Sequence, residues 1–185
     1  MNQSAKQSRL LAVSLSTWGF GYAVLEGGNS LVDYGNKRIN TDKNARSLAH
    51  IEKMIARNQP DILVLQDVNA RGTHRAPRIK QLHRKVVALA KDRKLKMMEI
   101  SGTELRRLLL NDEDGTKQEM AELLAKKFPD ELASRLPAKR KAWNSEDARM
   151  DIFEAVALAV AFQIGHTTST HSWDGRRHDR KRTVW

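Results

Sequence analysis
The chain has 185 residues, is 40% hydrophobic and contains no cysteine; this allows one packed domain and excludes a disulfide framework or a thiolate metal site. Its 33 Lys and Arg outnumber its 22 Asp and Glu, and the resulting net charge of +11 makes a polyanion, nucleic acid first, the leading partner ahead of acidic proteins or anionic lipid. The polar, basic start and the short apolar run after it support neither a signal peptide nor a membrane span, so a cytoplasmic protein is expected.

Residues 1–9 read as a flexible basic lead. Leu10 to Ser14 is an apolar strand, Gly19 to Leu25 alternates like a half-buried one with Tyr22 and Val24 on one face, and Leu31 to Tyr34, closed by Gly35, completes an antiparallel meander. Between Ala45 and Asn58 the apolar residues step by three or four, which predicts an amphipathic helix that Pro60 stops. Ile62 to Leu65 is a buried-strand run with the polar Gln66 and Asp67 at its carboxyl end, where open α/β sheets place ligands.

A loop over Arg71 to Arg75, a basic helix from Arg78 to Ala90 and a strand from Leu95 to Ile100 come next. Helices are expected at Thr103 to Leu110 and Lys117 to Phe128, an irregular charged excursion from Pro129 to Asp147, and a buried helix, apolar nearly all round, from Arg149 to Ile164. Residues 165–185, rich in Arg and Lys, read as a disordered basic tail, and the spacing of His166, His171 and His178 matches no compact metal motif. The fold class is α/β, with one domain over residues 10–164: a three-strand antiparallel meander extended by parallel strands, helices on both faces.

Three stretches in this order resemble the RuvC-type Holliday-junction resolvases of the RNase H superfamily. Leu11 to Thr17 followed by Gly19 to Val24 is similar to their opening strand, turn and second strand; Gln59 to Val68 to their fourth strand, which ends in glutamate; and Asp151 to Ala159 to their last helix, with its paired acids. The resemblance covers roughly Leu10 to Phe162 and implies an RNase H-like fold and a magnesium- or manganese-dependent endonuclease of branched DNA that works as a homodimer. The resemblance implies catalytic positions at Ser14, Asp151 and Glu154, and Asp67, adjacent to the aligned Gln66, is taken with them; Asp67, Asp151 and Glu154 are the expected metal ligands, with Gln66 in second rank beside Glu146 and Asp147, acids ahead of the last helix that also suit its cap. Asp151 and Glu154, three apart, share one helix face, as common metal ligands must, although acids in a first helical turn also suit the helix dipole.

This chain departs from the pattern at two places. Ser14 stands where the family has its first-strand aspartate, and Gln66 where it has its glutamate; both are neutral and poor magnesium ligands. Asp67 can replace Gln66 only if the strand ends or bulges there, because neighbouring strand residues face opposite ways. The alternative to a nuclease is therefore a catalytically degraded protein that binds DNA, or RNA, without cleaving it.

Arg71, Arg75, Arg78, Lys80, Arg84 and Lys85, with His74 and His83 among them, follow the site strand and are expected to hold phosphates beside it. Lys117, which resembles a lysine that the family has ahead of a late helix, is counted with these as a nucleic-acid-binding residue. Trp18, in the turn after Ser14, packs on the rim or touches a base. The 5% aromatic content argues against a base-stacking platform and for recognition of backbone and shape.

Overall fold
The computed structural model describes residues 8–141 and 145–169, the side chains of 167–169 excepted. Residues 1–7, Trp143 and the basic tail from 170 onward, His171 and His178 included, lie outside the described residues.

The meander is β1 (Arg9–Ser16), β2 (Gly19–Glu26) and β3 (Ser30–Arg38), paired antiparallel. α1 (Lys43–Asn58) leads to β4 (Ile62–Gln66), which lies parallel to β1, and α2 (Pro77–Asp92) leads to β5 (Lys96–Ile100), parallel to β4. The described strands form one sheet in the order β3-β2-β1-β4-β5. α3 (Gly102–Leu110), α4 (Lys117–Lys127), the short α5 (Pro129–Leu132) and a 3-10 turn (Ala133–Arg135) precede the last helix, α6 (Met150–Ser169).

Side-chain alternation along β1 sorts two cores. Leu10 and Ala12 join Ala23, Leu25 and Val64 beneath α6, α3 and α4, whereas Leu11, Val13 and Leu15 join Phe20, Val24, Leu63 and Leu65 beneath α1 and α2. The sheet is thus covered on both faces, as expected for an α/β layout, and β2 is buried on both sides rather than half-buried.

Several boundaries move. β3 does not stop at Gly35 but runs to Arg38, because the absent side chain leaves room for the Tyr22 ring across the ladder. α6 continues past Ile164 to Ser169, so the first residues assigned to the tail are helical. The excursion after Pro129 begins with a helical turn.

α6 reaches the site end of the sheet because of Gly21. A Cβ there would stand 1.8 Å from the backbone oxygen of Asp151, so only glycine lets the first turn of α6 lie directly on β2. Asn36 of β3 holds the approach to that turn, donating to the Ala148 carbonyl at 2.7 Å.

Candidate nucleic-acid site at the carboxyl end of the sheet
The parallel strands β1 and β4 end side by side, the ladder running to Val13 opposite Leu65. Ser14 and Gln66 follow, and both line one small pocket with Glu154 and Lys117. Ser14 is fully buried and shares the face of Ala12, towards α6. Its hydroxyl donates to Glu154 Oε2 at 2.8 Å. Two residues further along the strand, Ser16 donates to Asp151 Oδ2, also at 2.8 Å. The two strand hydroxyls and the two helix carboxylates therefore pair in register.

Lys117, the first residue of α4, enters from the other side. Its ammonium pairs with Glu154 Oε1 and stands 3.0 and 3.1 Å from the two carboxylate oxygens of Glu146. The helix start fixes its place: Thr116 caps the backbone of Glu119, and Glu119 returns a bond to the Thr116 amide. Burial is the largest single influence and works against the ammonium, but the charges and hydrogen bonds of Glu154 and Glu146 together outweigh it and hold the Lys117 pKa above its ordinary value. Asp151 moves the other way for a carboxyl: burial pushes its pKa up to about 6, the Ser16 hydrogen bond pulls it back, and the charge of Glu154 adds to the rise.

These groups form part of the wall of a cleft of about 320 Å³, with Ser16, Trp18, Arg38, Arg75, Lys117, Glu146, Asp147, Asp151 and Glu154 among its lining. Trp18 is 54% exposed at the lip, with Lys43 Nζ 4.4 Å and Arg38 Cζ 5.5 Å from its ring centroid. Arg75 donates to Gln66 Oε1.

The expected site residues are thus only partly brought together. Ser14, Gln66, Asp151, Glu154, Glu146 and Lys117 converge. Asp67 is not among the residues lining the cleft. β4 ends at Gln66, and the Asp67 carboxylate instead accepts the Asn69 amide at 2.8 Å in a local turn, while its own amide donates to the Ile100 carbonyl. Asp147 reaches the rim but is held by Arg149 at 2.7 Å, a contact that lowers its pKa.

In the basic run, Arg75 reaches the cleft, while Arg71, Arg84 and Lys85 are exposed and Lys80 is half-buried. Arg78 is occupied internally, donating to the Ser16 and Thr17 carbonyls at 3.1 and 3.0 Å and to Asn44 at 2.8 Å. His83, read as part of the basic face, is buried, its Nε2 2.6 Å from Glu99 Oε1. Ser16 and Arg38 are cleft residues outside the set expected from the sequence. Strand periodicity was the available signal for Ser16, since it shares the face of Ser14 two residues on; Arg38 carried none, because β3 was ended before it.

The donors present do not fit a pair of divalent cations. Such ions want several anionic oxygens, but the two strand positions offer the Ser14 hydroxyl, which donates to Glu154, and the Gln66 amide, which accepts from Arg75. Among the described residues no three His, Asp or Glu side chains stand together as a metal-binding group.

No protein-family model matches this sequence, and no curated protein does. Solved structures do. Thermus thermophilus RuvC superposes with a TM-score of 0.66 at 12% identity, over 88% of this chain and 97% of that one, and the same protein in complex with a Holliday junction substrate gives 0.65. The yeast mitochondrial Holliday junction resolvase gives 0.62 at 13% identity, over 89% of this chain and 81% of its own. Fowlpox virus resolvase, solved with substrate Holliday junction DNA, gives 0.56 at 12% identity, over 84% and 99%.

Proposed function
The chain has the RNase H-like fold of the RuvC-type resolvases, and from that premise we propose that it binds branched DNA at the cleft without cutting it by the two-metal route. The observation that carries this reading is the pairing of Ser14 with Glu154 and of Gln66 with Arg75. At the two positions where a cation pair needs carboxylates, neutral side chains are already engaged, while Arg38 and Arg75 line the cleft where a phosphate would approach. The exposed Arg71, Arg84 and Lys85 extend the positive surface along α2 and the loop before it. We propose further that two copies act together and that the protein works in the cytoplasm.

A second reading, a magnesium- or manganese-dependent endonuclease of branched DNA, is favoured by one observation: Asp151 in the first turn of α6 and Glu154, three residues on, both line the cleft. It needs a further acid, Glu146 from the rim or Asp67 after a rearrangement beyond β4.

The test is binding and cleavage of a four-way junction, duplex, single strand and matched RNA by wild type and Asp151→Asn, in chelator and in magnesium or manganese. Salt-sensitive junction affinity with no turnover is the expected result. Metal-dependent cleavage lost in Asp151→Asn would replace the first reading by the second, and preference for RNA would overturn both.

A further inference from the structure
The carboxylate of Glu154, at the bottom of the cleft, is paired from inside the chain. Both oxygens of the buried Glu154 are paired, Oε1 with the Lys117 ammonium and Oε2 with the Ser14 hydroxyl. Glu146, at the rim, presents both of its oxygens to the same ammonium. A lysine ammonium has three donors and no acceptor, and these three oxygens match that count.

The placement of Lys117 is not explained by its helix. A cation at the first position of α4 faces the positive end of the helix dipole, which disfavours it. Helix stability therefore supplies no reason for a lysine there, whereas Glu154 and Glu146 do. A buried carboxylate is costly unless it is paired, and in this chain no residue of β1 or β4 at the site supplies that pairing with a full positive charge.

We infer that the Lys117 ammonium is the resident cation of this site, occupying the role that divalent ions have where the strand carboxylates are kept, so that the cleft meets a DNA phosphate without divalent metal. The part concerning phosphate rests on the reading under Proposed function; the part concerning the cation does not. A divalent ion entering here must displace Lys117 from Glu154 and compete with the Ser14 and Ser16 hydroxyls for Glu154 and Asp151. In return it gains no strand carboxylate.

The experiment is a titration of Mn²⁺ into the full chain without DNA, followed by loss of the free-ion electron paramagnetic resonance signal, for wild type, Lys117→Met and Lys117→Gln. Wild type is expected to leave the signal unchanged up to millimolar metal, and each variant to bind at least about tenfold more tightly than wild type. Micromolar Mn²⁺ binding by wild type would overturn the inference, and that arm does not depend on either variant folding. A folded variant that gains no Mn²⁺ affinity would overturn it equally. Junction binding by wild type in chelator and in magnesium then separates the two proposals: no binding in either medium defeats the proposed function alone, and binding only with magnesium defeats this inference.

Discussion

The hydroxyl of Ser14 and the carboxylate of Glu154 are 140 residues apart in sequence and 2.8 Å apart in the fold, buried between β1 and α6. The bond joins a neutral donor to an acceptor on a largely buried side chain. Ser14→Ala leaves Glu154 Oε2 without that donor, and a buried acceptor that loses its partner costs about 1–3 kcal/mol. Urea unfolding should show a loss in this range with an unchanged m-value. Ser14→Asp should destabilise more in the absence of metal, because it sets a second carboxylate against the first. An Ala variant as stable as wild type would mean that the bond contributes nothing.

Gly21 is the point where backbone meets backbone. With its missing Cβ directed at the Asp151 carbonyl, Gly21→Ala cannot be accommodated by a side-chain rotation, and the first turn of α6 has to lift from β2. We expect a loss of several kcal/mol, on the scale of overpacking with backbone displacement. Asp151 and Glu154 would move with that turn, so whatever folded protein remains should also lose junction affinity. Near wild-type melting of Gly21→Ala would show that the contact is looser than described.

The layer structure was legible because burial on both faces of a sheet leaves continuous apolar runs, as in Leu10 to Val13 and Ile62 to Leu65, and one face of a helix leaves the three-four step of α1. The site was legible only as far as local parity reaches. Strand alternation places Gln66 with Val64 and towards α6, and by the same rule turns Asp67 away from Asp151; the strand's end then lets Asp67 close its own turn. Pairs such as Lys117 with Glu154, or Arg78 with the carbonyls after Ser16, join residues distant in sequence. No periodicity announces them. Gly35 misled in the opposite sense, since glycine is a common terminator but here makes room for a neighbouring ring.

Arg78 and Arg84 lie on the same helix and should behave differently. Arg78 fastens the β1–β2 turn to α2 through the Ser16 and Thr17 carbonyls, whereas Arg84 is exposed. Arg78→Ala should lower stability by about 1–3 kcal/mol, as expected for hydrogen bonds to a charged group. Arg84→Ala should leave stability within about 0.5 kcal/mol of wild type and reduce the salt dependence of DNA binding by about one counterion. Melting curves and binding across a salt series separate the two. If Arg84→Ala left the salt slope untouched, α2 would not be a phosphate-facing surface.

Asp151 makes the stability of the fold depend on pH in a direction opposite to that of a salt-bridged carboxylate. Burial is the largest cause of its rise from 3.8 to about 6, with Ser16 opposing and Glu154 assisting. The folded chain therefore holds this proton more tightly than the unfolded chain does. Across the window from about pH 4 to pH 6 the folded state carries more protons at this position, so its contribution to stability falls as pH rises, by at most about 1.4 kcal/mol per pH unit. Below that window both states are protonated, above it both are ionised, and the contribution is level. Asp151→Asn keeps the shape without the titration. Urea unfolding of both proteins through the window should show the stability of wild type relative to Asp151→Asn decreasing with rising pH and then becoming constant above about pH 6. A difference that stayed flat, or that grew with pH, would mean that the carboxyl is exposed or is held by a cation nearer than Lys117. The decrease would instead show that Asp151 is ionised at neutral pH against its surroundings, leaving the floor of the cleft negative where DNA phosphate approaches and making Lys117, Arg38 and Arg75 the groups that offset it.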